Sequence, residues 1–205
     1  MQNQKKSNQV GQGLVRHSLG DGGGRAVGVV GARSLGHQFS DKVGLVVEDL
    51  LSRGFRVSTG GAIGADEYCL SRLVHIGYAG KGTIYAPWKD FSGFPAKVRA
   101  LVRQFKQYGG SILWGDASGR EEYPVIRTAL LARNLRLIEA CHGITAFLHG
   151  ESRGSLFTLR KAVSARLPIV VFAFDRALPE FPEVRWKALK CGGCWEGGFK
   201  AVYLK

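Results

Sequence analysis

Three short stretches carry residues able to hold an anion: "GARS" at 31–34, "TGGAIGAD" at 59–66 and "GESRGS" at 150–155. Each sets small residues beside a basic or hydroxyl side chain. Glycine inside an element costs roughly 1 kcal/mol against alanine, so Gly31, Gly60, Gly61, Gly64 and Gly154 require a reason. Close approach of a phosphate to backbone N–H groups is one, because a β-carbon at Gly60 or Gly61 would obstruct it. Arg33 and Arg153 supply charge, and Ser34, Thr59, Ser155 and Thr158 supply hydroxyls. Asp66 suits phosphate less well and reads as an N-cap or as an acceptor for a sugar or a base. Capping explains Ser155 and Thr158 almost as well as a ligand does, and one glycine turn alone can simply pack a strand against a helix.

The spacing excludes two common phosphate devices. There is no GxxxxGK[ST], and "GVVGARSLG" does not space its glycines as GxGxxG. Catalysis has thin support. Glu139 and His142 offer a carboxylate and an imidazole for N-glycosidic cleavage, but no nucleophile pairs with a base, and His75, His142 and His149 lack metal-ligand spacing. "CGGC" (Cys191, Cys194) is half a zinc site with no second half, while Cys69 and Cys141 fall in apolar patterns as core thiols. Neither a metal nor a cofactor is expected.

The elements that must position these residues alternate along the chain. "RAVGVVGARS" reads as a buried strand, and 40–54 as a helix capped by Ser40 or Asp41 and stopped at Gly54. "FRVST" is a second strand, "ADEYCLSRLVHIG" a helix, and 81–88 a third strand ending at Pro87. Residues 94–109 form an amphipathic basic helix carrying Lys97, Arg99, Arg103 and Lys106; Phe105, Tyr108 and Trp114 nearby are candidates either for base stacking or for the core. A helix over 125–141 presents Arg133 and Asn134, and strands at 142–150 and 167–174 flank a helix at 156–166. The alternation predicts an α/β fold, a Rossmann-like doubly wound and mostly parallel sheet with helices on both faces. Ligands of such sheets bind beyond the carboxyl ends of the strands, where all three glycine stretches fall. The expected organisation is a disordered basic, glycine-rich tail over 1–25, one domain over 26–178, and an extension over 179–205 with room for an edge strand.

Twenty-nine lysines and arginines against sixteen acids give a net charge of +13, which favours a polyanionic partner. No apolar run reaches the ~18 residues of a membrane helix, and the first residues lack the apolar core of a signal peptide, so a cytoplasmic protein is expected.

"GARS", "TGGAIGAD", "ARNLRLIEACHGITAF" and "GSLFTLRKAVSARLPIVVF" follow in order the pattern of the DNA-processing protein A (Smf) family, which the chain resembles over roughly 26–175. That family belongs to the Rossmann-like superfamily that includes the Lonely Guy phosphoribohydrolases. The resemblance implies a pocket lined by Gly31, Arg33, Gly60, Gly61, Gly64, Arg133, Asn134, Gly154, Ser155 and Thr158, holding the phosphates of single-stranded DNA. It also implies a recombinase partner and a homodimer. Ile63 stands where the family loop has arginine, Arg153 replaces a serine, and the Lonely Guy signature P-G-G-x-G-T-x-x-E is absent. DNA, RNA and a nucleotide-derived small ligand, with phosphoribosyl hydrolysis as the enzymatic alternative, stay open here; the basic helix 97–106 is the expected accessory track for a strand.

Overall fold

The computed structural model describes residues 24–204, so the expected disordered tail lies, but for its last two positions, outside the described residues. β1 (Ala26–Gly31) is buried on both faces through Val27, Val29 and Val30, as a central parallel strand must be. α1 (Ser40–Ser52) buries Val43, Val46, Val47 and Leu50, one stripe at helical spacing. Ser40 and Asp41 lie inside its first turn and Phe39 holds the cap position, which corrects the expected cap. The stop at Gly54 is a Schellman turn: Gly54 N–H donates to Leu51 O and Phe55 N–H to Leu50 O.

β2 (Arg56–Thr59), α2 (Ala65–His75), β3 (Gly82–Tyr85), α3 (Ala96–Gln107) and β4 (Ser111–Leu113) continue the alternation. α4 (Tyr123–Ala140) then carries the chain back to β5 (Ile144–His149), followed by α5 (Arg153–Ser164) and β6 (Ile169–Phe174). An antiparallel pair, β7 (Val184–Ala188) and β8 (Phe199–Tyr203), completes the sheet. Its order is β4-β3-β2-β1-β5-β6-β8-β7, with the first six strands parallel and β8 antiparallel to β6. The fold is thus the doubly wound, Rossmann-like α/β sheet.

Helices α1 to α3 cover one face around Val29, Val57, Ile84, Phe147 and Phe172. α4 and α5 cover the other around Val30, Ile144, Ala146, Leu148 and Val171. The connection between β7 and β8 is fastened to α1 by Trp195 Nε1 donating to Asp49 at 2.7 Å and by Lys42 Nζ donating to Glu196 O at 2.7 Å. No helix of the described residues is long and apolar enough to cross a membrane.

The loop that delivers α4 is tied by Glu121, whose carboxylate accepts the N–H groups of Ser118 and Gly119. Those donors, that of Ser118 foremost, hold the carboxyl down at about 2. A depressed folded value means the contribution is complete above the usual 4.5 and is lost as pH falls towards 2. A carbon-detected titration should therefore place Glu121 near 2; a midpoint at an ordinary carboxylate value would show that the loop is not held this way.

Candidate phosphate-binding site at the switch point

Strand order reverses at β1, whose neighbours β2 and β5 are reached by connections on opposite faces. The loops leaving β1 and β5 therefore diverge and open a crevice at the carboxyl ends. The three glycine stretches meet there, but they do different work.

The 59–66 loop is closed on itself. Asp66 is the second residue of α2, not its cap, and lies buried. Its Oδ2 accepts the N–H of Gly60 at 3.1 Å and of Ala62 at 3.2 Å. Glu67 accepts Gly64 N–H at 3.2 Å, and Ala65 N–H goes to Ala32 O at 3.3 Å. These amides are committed to the protein, and two acids occupy the first turn where an anion would have to sit.

Arg133 completes the closure from below. Its side chain is 8% exposed, with Nη1 3.6 Å from Asp66 Oδ2, so it is a buried support rather than the phosphate contact the resemblance implies. A β-carbon at Gly60 would fall 0.9 Å from Nη1 of Arg133, and one at Gly61 (φ +70°) would fall 2.7 Å from the Phe94 ring. At Gly64 it would meet Ala32 O at 2.3 Å, and at Gly31 Phe147 O at 2.4 Å. Arg133, Phe94 and neighbouring carbonyls leave no room for a side chain at these positions, so the bare backbone has a structural reason within the chain itself. Burial pushes the Asp66 carboxyl above its usual value and the Arg133 guanidinium below its own; their mutual attraction and the loop amides offset this only in part. Nε of Arg133 is buried without a hydrogen-bond partner. Thr59 is fully buried beside this pair, and Asn134 is half-buried.

The other side of the crevice is open. α5 begins at Arg153, earlier than expected, with no acid in its first turn and no side chain capping it. Ser152, the cap residue, donates instead to Ser155 Oγ at 2.6 Å. A β-carbon at Gly154 would meet nothing within 4 Å. Helix geometry leaves the first amides without intrahelical partners, and the dipole favours an anion before them. Arg33 and Ser34 are exposed across the crevice. Ser155 and Thr158 are buried within α5, Thr158 donating to Gly154 O at 3.0 Å, so these hydroxyls serve the helix rather than the crevice.

A chain of contacts that the sequence did not reveal ties the walls together. Ser34 Oγ donates to His149 O at 3.2 Å and lies 3.3 Å from His149 Nδ1. His149 Nε2 is 3.2 Å from Asp175, which follows β6 at φ 56°. Phe39 stacks on Phe174 with centroids 4.1 Å apart and leans on the His149 ring. An acid directly after the buried run "VVFAF" was the available signal, since it places Asp175 at a strand's carboxyl end. Glu139 and His142 fall at the opposite end: His142 N–H bonds Ala26 O, where β1 starts, so they do not join this site.

The accessory track on α3 is largely engaged elsewhere. Lys97 pairs with Glu67 at 3.2 Å, Arg99 donates to Phe94 O at 2.9 Å and Ser92 O at 3.0 Å, and Arg103 lies over the Phe91 ring at 5.6 Å. Lys106 and Tyr108 are exposed, Phe105 is wholly buried, and Trp114 packs edge-on to Phe91 and Phe94.

No protein-family model and no curated protein matches the sequence. In three dimensions the chain is similar to DNA processing protein A from Streptococcus pneumoniae, with TM-score 0.56 and 22% identity, over 71% of this chain and 49% of that one. It is similar also to DNA processing protein A from Helicobacter pylori, a structure concerned with that protein's single-stranded DNA binding mode; the TM-score is 0.59 with 20% identity, over 83% and 78% of the two chains. The chain spans about half the length of the pneumococcal protein. The likeness establishes a shared fold.

Proposed function

We propose that this chain binds single-stranded nucleic acid, DNA foremost, through phosphate held between the first turn of α5 and Arg33. One observation carries the reading: of the two helix N-termini at the crevice, α2 is filled by its own acids while α5 has no side-chain cap, no acid in its first turn and open space at Gly154. The net charge of +13 supports a polyanion, and the fold shared with proteins named for DNA processing supports DNA. A place in DNA recombination or transfer, a recombinase partner, a homodimer and a cytoplasmic setting belong to the same reading.

Fluorescence anisotropy with labelled oligothymidylates at several salt concentrations tests it. Log affinity should fall with log salt at about −0.7 per phosphate contacted. Arg33→Ala should weaken binding about tenfold and flatten that slope by one contact. An affinity indifferent to salt would rule the reading out.

A second reading draws on His149, a base oriented by Asp175 beside the same crevice. It suits a small nucleotide-derived ligand, with His149 Nδ1 taking a proton from the water that bonds to the sugar carbon as the C–N bond breaks and the base leaves with its electron pair. Binding displaced by a single nucleotide, and base release lost in His149→Ala, would favour it.

A further inference from the structure

We infer that the strand leaves the switch point across α5, not along α3, and seats a nucleobase in the groove between α5 and residues 176–181. The inference rests on the strand-binding reading and adds its direction and a second subsite. The groove is shallow and open, about 330 Å³, and is lined by Leu156, Leu178, Pro179 and Phe181 together with Arg160 and Arg176. That volume lies at the lower end for small-molecule pockets and suits one base.

The charges follow the same path. Arg153, Leu156 and Arg160 stand at i, i+3 and i+7, one face of α5, so a cation, an apolar patch and a second cation succeed one another over about 10 Å of helix. Arg153 and Arg160 are exposed, and among the described residues no ion pair engages either. On α3, Arg99 is tied to two carbonyls, Lys97 shares an exposed ion pair with Glu67 and Arg103 lies over Phe91, so Lys106 is the α3 cation among the described residues that has no such contact. The groove adjoins the first site, because Arg176 Nη1 donates at 2.8 Å to Gly150 O in the loop that precedes α5. Its apolar walls offer a base a face to pack on, and Arg160, with Arg153 two turns before it, offers the adjoining phosphates charge, while Arg176 is held by the carbonyls of Gly150 and Ala177 and shapes the wall. Glu180 on the rim is an acceptor that a base amino group can use and a phosphate cannot.

The test compares Arg160→Glu with Lys106→Glu on α3, both surface changes, in the full chain. Labelled thymidine oligomers of one, four and twelve nucleotides are titrated by anisotropy, and circular dichroism melting shows that both variants fold. Arg160→Glu should weaken the twelve-mer at least tenfold and leave the mononucleotide within twofold; Lys106→Glu should leave both within twofold. Arg160→Gln should fall between wild type and Arg160→Glu. An unchanged twelve-mer in Arg160→Glu, or equal losses in both variants, would overturn the α5 path while strand binding by the wild type stands. Failure of the wild type to bind any oligomer would overturn the strand-binding reading itself, and this inference with it.

Discussion

Gly60→Ala should strongly destabilise the protein, although it adds a single methyl group. That methyl would sit 0.9 Å from Nη1 of Arg133, 2.2 Å from its Cζ and 2.9 Å from Nη2. The guanidinium is buried against Asp66 and must leave its slot. Breaking such a pair leaves an uncompensated buried charge and costs about 3–5 kcal/mol, a large share of the 5–15 kcal/mol that usually holds a domain together. Gly154→Ala is the control. Its β-carbon meets nothing within 4 Å, and alanine is the better helix former, so stability should rise by up to about 1 kcal/mol while strand binding weakens. Thermal melts of both variants beside wild type separate the two kinds of glycine. A Gly60→Ala protein melting like wild type would mean that Arg133 has somewhere else to go. Removing the obstacle should reveal the coupling: Gly60→Ala should cost much less in an Arg133→Ala background than alone, as contacting residues are not additive.

These glycines show what was legible in the sequence and what was not. That Gly60, Gly61 and Gly64 are constrained follows from their place between a strand and a helix. The agents of that constraint do not, since Arg133 arrives from α4 and Phe94 from the segment before α3, brought there only by the crossovers. The strand–helix order, and with it the switch point, was readable because both periodicities are strong: Val43, Val46, Val47 and Leu50 at helical spacing, and a near-continuous apolar β1. The basic helix was readable as a helix. Whether its cations are free was not, because that depends on Glu67 and on the carbonyls of Ser92 and Phe94. The acids at 66 and 67 did carry a signal. Two carboxylates in a first turn complete that helix end from within, which turns attention to α5, whose first turn reads Arg-Gly-Ser.

The second large effect concerns the other half of the buried pair. Asp66→Ala should cost about 3–5 kcal/mol in chemical denaturation, because it strands Arg133 and leaves the N–H groups of Gly60 and Ala62 without their acceptor. Asp66→Asn keeps an acceptor oxygen and should cost less. Its pH dependence decides what the pair contributes. Burial raises the folded carboxyl above 3.8, so the folded state holds this proton more tightly than the unfolded chain does. The stability linked to that group is complete below 3.8 and diminishes as pH rises through the folded value. Asparagine cannot titrate, so the advantage of wild type over Asp66→Asn should narrow on going from pH 3 towards neutrality. An advantage that widened instead would mean that Arg133 wins over burial and that the pair is a net stabiliser. Narrowing would mean that the pair opposes stability in its ionised form while it still dictates the loop's shape, since the same oxygen organises Gly60 and Ala62. Under that outcome Asp66→Asn that remains folded should keep most of its strand binding, because the first turn of α5 lies across the crevice from the altered loop, although Arg33 packs its backbone against Gly64 beside it.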